Sequence, residues 1–163
     1  MKSSANTGET IVDGALYAGA QVIRLNDPRA TGQVAARVRS SDDDSIGLIA
    51  RWHDQVNYYY FSVNPQEQYA NIVRVQDNVY TELAHVNFTT FATWGNTWRT
   101  LEFSHAGPHF VGSVDGVAVV TASDSAAPHD TGYYGLYTAF MNPVEVTWLE
   151  ETMSFHIGMR DMP

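Results

Sequence analysis

Hydrophobic and polar residues alternate with a period of two along most of this chain. Period two places successive side chains on opposite faces of a β-strand, whereas the spacing typical of a helix is nearly missing. Each alternating segment is short and ends near Gly, Asn, Asp or Pro, the residues that favour turns. The pattern predicts strands at Thr10–Ala18, Ala20–Leu25, Gly32–Ser40, Ile46–His53, Tyr58–Asn64, Tyr69–Val75, Val79–Val86, Trp98–Ser104, Phe110–Val114, Val117–Ala122, Tyr133–Thr138, Val144–Leu149 and Met153–Met159.

Many short strands separated by turns are typical of an all-β, antiparallel two-sheet sandwich or jelly roll. Asp115-Gly116, between two of the strands, predicts a tight hairpin, since a type I′ turn needs positive φ at both central residues. We expect residues 1–163 to form one domain, with residues 1–9 as a flexible N-terminal segment. The predicted core contains large apolar residues that share the inward phase of their strands, namely Leu48, Trp52, Phe61, Leu101, Phe103 and Leu136.

Composition and charge narrow the function classes. The chain has 163 residues and no cysteine, which excludes disulfides, a thiolate zinc site and a cysteine nucleophile. A formal net charge of −9 disfavours nucleic acids and anionic membranes as partners. No apolar run is long enough to predict membrane insertion, and the first ten residues lack the pattern of a signal peptide. We therefore expect a mature fragment or an excised module that binds a neutral partner.

Strand alternation suggests one candidate binding face. In Ile46–His53, the residues Leu48, Ala50 and Trp52 share the predicted core phase, which leaves Arg51 and His53 on the other face. If the following strands are neighbours, aromatic and cationic side chains join that face. The candidate carbohydrate-binding residues are Arg51, His53, Tyr58, Tyr60 and Arg74, with Trp94 approaching from the loop Asn87–Thr97.

An aromatic and arginine-bearing face suits a sugar, because pyranose C–H groups pack on aromatic rings and sugar oxygens accept bonds from Arg. A purely structural role is the alternative, since Tyr and Arg pairs across strands also stabilise sheets without any ligand. Trp94 has a similar alternative, because a Trp in a loop can cap the open edge of a core.

Several segments, in order, resemble a known superfamily. These are "VDGALYAG", "GLIARWHDQVNYYYFSV", "WRTLEFSHAGPHFVGSVDGVAVVTASD", "TGYYGLYT" and "VEVTWLEE". Together they are similar to the concanavalin A-like lectin/glucanase superfamily, in particular to its laminin G-like and carbohydrate-binding-module branches. The resemblance runs from about Val12 to Glu150 and implies a sandwich fold, a glycan ligand and an extracellular location. It also implies a parent protein with several domains.

Two departures from the superfamily pattern bear on activity. Its active glucanases carry a strand of the form E-x-D-x-x-E, which this sequence lacks. Many relatives have an Asp in the last strand that ligates a structural calcium, whereas Thr147 stands at the comparable position here. The resemblance therefore requires no cofactor and leaves structural calcium as an open alternative. We rank a non-catalytic carbohydrate-binding module first, ahead of a sugar-active enzyme of the same fold and a protein-interaction or structural domain.

Other candidate sites are weaker. Glu82 and Glu102 are the best acid/base candidates for a glycosidase or lyase, and solubility is the alternative explanation for both. His105 and His109 have a spacing that binds zinc on a helix, but Gly107 and Pro108 between them exclude the helix.

Overall fold

The computed structural model describes residues 9–12, 20–24, 30–89, 94–126, 128–139 and 144–152. These residues contain no helix, and therefore no helix long and apolar enough to span a membrane. They form twelve strands: β1 (Glu9–Val12), β2 (Ala20–Arg24), β3 (Thr31–Ser40), β4 (Ser45–Asp54), β5 (Asn57–Asn64), β6 (Tyr69–Gln76), β7 (Val79–Asn87), β8 (Arg99–Ala106), β9 (His109–Val114), β10 (Val117–Ser123), β11 (Tyr133–Ala139) and β12 (Val144–Thr152).

The strands form two antiparallel sheets of six. Sheet I has the order β1-β12-β3-β8-β9-β10, and sheet II has the order β2-β11-β4-β5-β6-β7. The predicted all-β two-sheet sandwich is thus confirmed. Three predicted segments cannot be compared in full. Met153–Met159 lies outside the described residues, and so do residues 13–18 of the predicted strand Thr10–Ala18. The N-terminal segment 1–9 also lies outside them apart from Glu9, which begins β1.

The core lies between the sheets and is built from the inward phase of their strands. Leu48, Phe61, Leu101, Phe103 and Leu136 are all buried there, as predicted. The aromatic rings of Phe61 and Phe103, from opposite sheets, have centroids 6.0 Å apart. Burial of such side chains stabilises the fold by about 1.5–3 kcal/mol each.

The hairpin at Asp115-Gly116 joins β9 to β10, as the sequence predicted. Asp115 has φ 50° and Gly116 has φ 81°, which agrees with the two positive values of a type I′ turn. The Asp115 carboxylate also accepts a hydrogen bond of 2.8 Å from the backbone N–H of Thr100 and one from Arg99. The turn is therefore fixed both by its backbone preference and by its side chain.

The prediction that Trp52 lies in the core is wrong, because β4 contains an irregularity. The pairing of β4 with β5 shifts between Ala50 and Asp54, and Arg51 has φ 52°. An extra residue in a strand reverses the alternation beyond it. Trp52 is consequently half-buried against the outer face of sheet II, where its ring lies 6.4 Å from that of Tyr133.

Candidate functional site

The outer face of sheet II carries a cluster of aromatic and aliphatic side chains. Ile49, Tyr58, Tyr60, Val73, Val75 and Tyr137 form this second buried group, which we call the tyrosine cluster. Its members alternate with core residues along β4, β5, β6 and β11. The rings of Tyr60 and Tyr137 stack with centroids 4.0 Å apart. Burial, together with Tyr137, raises the pKa of the Tyr60 hydroxyl, so this phenol stays protonated.

A row of hydrogen-bonded polar side chains adjoins the tyrosine cluster on the same face. We call it the polar row, and its members are Ser62, Asn71, Glu82, His85 and Asn87. Ser62 Oγ donates to Asn71 Oδ1 at 2.7 Å, and Asn71 Nδ2 donates to Glu82 Oε2 at 2.9 Å. His85 continues the row, with Nδ1 at 3.1 Å from Glu82 Oε2 and Nε2 at 3.0 Å from Asn87 Oδ1.

The sequence of β7 explains how this row forms at an edge strand. Tyr80 lies opposite Val75 and Glu82 lies opposite Val73, so both point to the outer face. The register then shifts, with Ala84 opposite Ile72, so that His85 returns to the outer face opposite Asn71. Tyr80 is 54% exposed, and its strand therefore presents an aromatic ring, a carboxylate and an imidazole to solvent.

Electrostatics stabilise the charged forms of the central pair in the row. Hydrogen bonds from Asn71 and His85 lower the pKa of the Glu82 carboxyl, although burial opposes them. The bonds of His85 to Glu82 and Asn87 raise the pKa of its imidazole. The two side chains are 48% and 34% exposed, so the ion pair that they form when His85 is protonated is screened and contributes little to stability. Its effect is to hold Glu82 in a fixed orientation.

Arg51 does not lie on this face. Its side chain is 1% exposed and turns toward the space between the sheets, as a result of the irregularity in β4. Nε donates to His105 Nδ1 at 3.0 Å, and Nη2 donates to the carbonyls of Ala30 and Gly107 at 2.9 and 2.8 Å. Nη1 approaches the carbonyl of His129 at 3.4 Å.

His105 is the partner of Arg51 that the sequence reasoning missed. Burial and the adjacent guanidinium lower the pKa of its imidazole to about 4. Its Nδ1 accepts a hydrogen bond from Arg51 Nε–H, so Nε2 carries the hydrogen and faces the Tyr134 hydroxyl at 2.9 Å. A neutral His105 is thus part of the structure at pH 7.

Arg74 also points inward, in contrast to the prediction. It lies opposite Tyr59, a core residue, and its Nη1 bonds both carboxylate oxygens of Asp124 at 2.9 Å. The Tyr59 hydroxyl donates to the same carboxylate at 2.8 Å. Burial would raise the pKa of Asp124, but the bonds from Tyr59 and Arg74 outweigh it and lower that pKa. Arg74 and Asp124 form a partly buried ion pair at the edge of the core.

The remaining predicted residues lie elsewhere. His53 is exposed, and its Nε2 lies 2.6 Å from the carbonyl oxygen of Thr131. Trp94 is fully buried in the main core and donates from Nε1 to the carbonyl of Asp44 at 3.1 Å. It caps an edge of the core, which is the structural alternative considered for it. The structure therefore brings Tyr58 and Tyr60 together and separates them from Arg51, Arg74 and Trp94.

The two acid/base candidates do not share a cleft. Glu82 projects from the outer face of sheet II. Glu102 lies between the core residues Leu101 and Phe103 on β8, so it projects from the outer face of sheet I. Two carboxylates on opposite sides of the sandwich cannot act on one glycosidic bond.

Metal ligands are not clustered in the described part of the chain. No three His, Asp or Glu side chains among those residues lie close enough together to hold a metal ion. Structural calcium stays the open alternative that the sequence resemblance leaves.

Comparisons with known proteins show which solved structures share this fold. No family model matches the sequence, and no curated protein is significantly similar to it. Among solved structures, the carbohydrate binding module CBM66 from Bacillus subtilis superimposes with a TM-score of 0.69 at 16% identity, over 90% of this chain and 91% of that one. The chain has a lectin-like β-sandwich fold. Chicken galectin 2 is similar too, with a TM-score of 0.57 at 11% identity, over 82% of this chain and 99% of the galectin.

A third similar structure is a mutant of the GH43 protein BlXynB from Bacillus licheniformis. It has a TM-score of 0.62 and 11% identity, and the match covers 90% of this chain but 33% of that protein. The lectin-like fold thus occurs both as a separate chain and as part of a larger one. These similarities confirm the fold that the sequence resemblance implied, and they do not identify a ligand.

Proposed function

We propose that this protein is a non-catalytic carbohydrate-binding module, which binds a neutral polysaccharide or oligosaccharide along β7 on the outer face of sheet II. The observation that carries the proposal is the position of the exposed Tyr80 ring beside the Asn71–Glu82–His85 hydrogen-bond chain. The residues proposed to touch the sugar are Tyr80, Glu82 and His85, and Asn71 orients the carboxylate.

The chemistry of a sugar matches this surface. A sugar ring presents C–H groups, which pack on an aromatic face, and hydroxyls, which bond to polar side chains. Tyr80 and Glu82 are two residues apart on one strand, so their side chains emerge about 7 Å apart on the same side. One ligand can contact both. Glu82 is already held by Asn71 and His85, so little side-chain freedom is lost on binding.

The charge of the face favours a neutral glycan. Glu82 is ionised at pH 7 and already bonded to His85, the cation-forming group beside it, and the chain has a formal net charge of −9. Arg51 and Arg74, the cations that would have suited an acidic glycan, are turned inward and occupied by protein groups. A sulfated or uronic acid chain would meet repulsion at this surface. The similarity to a carbohydrate binding module and to a galectin supports the sugar-binding role.

Affinity electrophoresis against a panel of neutral and acidic polysaccharides tests the proposal. A neutral polysaccharide should retard the protein and remain uncleaved, with no release of reducing ends. Tyr80→Ala and Glu82→Gln should each weaken binding by about 1–3 kcal/mol, since the first removes the ring and the second removes the charged acceptor.

Glu102→Gln is the matched control, because it makes the same change on the opposite sheet, and it should bind as the parent does. Tyr80→Phe should also retain most of the affinity, since it keeps the ring. The proposal is wrong if no neutral glycan binds, or if Tyr80→Ala and Glu82→Gln both bind a confirmed glycan as tightly as the parent. Release of reducing ends would favour the enzyme alternative.

A further inference from the structure

A cavity of about 540 Å³ opens at the end of the sandwich where β3 begins and β8 turns into β9. It shares no residue with the outer face of sheet II. Its lining comes from three segments, with Arg51 beneath them: Ala30, Thr31, Gly107, Pro108, Ser125 and Asp130. This volume lies within the range of about 300–1,000 Å³ that small-molecule sites occupy.

The buried Arg51 guanidinium holds the walls of the cavity in place. It donates to the carbonyl of Ala30 at the start of β3 and to that of Gly107 in the β8–β9 turn, at 2.9 and 2.8 Å. The approach of Nη1 to the His129 carbonyl links the segment that carries Asp130. One rigid side chain thus positions all three wall segments, which makes the cavity a preformed space. Arg51 is a positioning residue here.

The rim of the cavity presents polar groups that the protein itself does not use. Thr31, Ser125 and Asp130 are exposed, and their side chains make no hydrogen bond to any group within the described part of the chain. A carboxylate accepts bonds from two hydroxyls, and the Thr and Ser hydroxyls both donate and accept. Pro108 and Ala30 supply apolar wall between them. Hydroxyl-rich molecules with C–H surfaces fit this combination.

Two opposite charges flank the cavity. Asp130 on the rim repels an anion, as does the net charge of −9. The Arg51 guanidinium beneath the cavity is protonated, because an arginine does not lose its proton in proteins, and it repels a cation. The Asp130 carboxylate and the Arg51 guanidinium attract each other electrostatically, so the cavity carries little net charge and suits a neutral ligand.

We propose that this cavity is a second binding site, separate from the outer face of sheet II, for a neutral polyhydroxylated molecule of one or two sugar rings. Asp130 accepts hydrogen bonds from ligand hydroxyls, Thr31 and Ser125 bond further oxygens, and the ring packs against Pro108. The site does not depend on the function proposed for the outer face.

Amide chemical shifts recorded by NMR during titration test this site. The probes are neutral sugars (glucose, galactose, mannose, fructose, xylose and their common disaccharides), with glucuronate and glucosamine as charged analogues. At least one neutral sugar should shift the amides of Gly107, Ser125 and Asp130. Neither charged analogue should bind as tightly as that neutral sugar. Shifts at Tyr80 and Glu82 instead would report the outer face, so the two sites are distinguished by position.

Asp130→Asn should weaken the binding at the cavity at least fivefold, and Ser125→Ala should weaken it about threefold. Asp77→Asn, which makes the same charge change in the exposed β6–β7 turn, is the control and should leave the affinity unchanged. The proposal is overturned if no neutral sugar shifts the cavity amides, if a charged analogue binds as tightly, or if Asp130→Asn binds as the parent does.

Discussion

Acid should destabilise this protein through His105. The imidazole is 3% exposed, and its pKa is about 4 in the folded chain, compared with an ordinary value of 6.5. At a pH between these two pKa values, the unfolded chain binds a proton at His105 and the folded chain does not. The free energy of unfolding therefore falls as the pH falls. The contribution is fully present above pH 6.5 and is lost by about pH 4. At about 1.4 kcal/mol per pKa unit, the loss from this residue is about 3 kcal/mol.

Urea unfolding from pH 8 to pH 4 measures this loss, with His105→Gln as the comparison. A glutamine amide can accept from Arg51 Nε and donate to Tyr134 without titrating. The stability of the parent relative to His105→Gln should fall by about 3 kcal/mol over the range. His85 and His129 titrate in both proteins, so their contributions cancel in the difference.

His109→Gln is the control, since it makes the same substitution at an exposed histidine. Parallel stability curves for the parent and His105→Gln, within about 0.5 kcal/mol, would refute the burial of a neutral imidazole. If His105→Gln does not fold, ¹⁵N NMR of the parent replaces it. The His105 signals should then show Nδ1 unprotonated at pH 5.5.

Three further predictions concern packing, backbone conformation and the pH dependence of binding. A Cβ added at Gly112 would lie 2.3 Å from the Phe61 ring, so Gly112→Ala should lower the free energy of unfolding, measured in urea, by about 1–3 kcal/mol. Phe61→Leu in the same chain should recover part of this loss, and simple addition of the two losses would contradict the contact. Gly116→Ala should lower the free energy of unfolding by about 1–2 kcal/mol because of its φ of 81°, whereas an unchanged midpoint would show that the turn tolerates a side chain. Protonation of Glu82 should weaken glycan binding on the outer face below pH 4.5, the ordinary pKa of a Glu carboxyl, because Asn71 and His85 lower the pKa of this group. Glu82→Gln should abolish that decline, and its persistence would assign the titration to another group.

Alternation predicted most of the fold because most strands have one apolar and one polar face. Leu101 and Phe103 alternate with polar neighbours in β8, and both are in the core. The contrast disappears in β5 and β6, where the tyrosine cluster makes the outer face apolar as well. Alternation alone therefore predicts the reverse phase for β6 and an outward Arg74, whereas Arg74 lies opposite the core residue Tyr59.

The candidate site was harder to predict than the fold. A single residue with positive φ, Arg51, reverses the phase of β4, and the sequence shows no glycine at that position to signal it. The nearby signal is Gly132, where a Cβ would lie 2.4 Å from the Arg51 backbone, but this contact joins residues far apart in the chain. In β7, Tyr80 and Glu82 share a phase that the sequence does show. The irregularity that adds His85 to them depends on the pairing with β6.

The strand order of sheet I has a consequence for synthesis on the ribosome. Among the described strands, β1 pairs with β12 alone, and β12 also pairs along one edge of β3. The partner of β1 is therefore synthesised more than 130 residues after it. Within the β4 to β7 meander of sheet II, by contrast, each strand pairs with the next one along the chain. Nascent chains should thus emerge with this meander able to form while β1 is still unpaired. Until β12 leaves the exit tunnel, β1 and one edge of β3 are open to association with other chains.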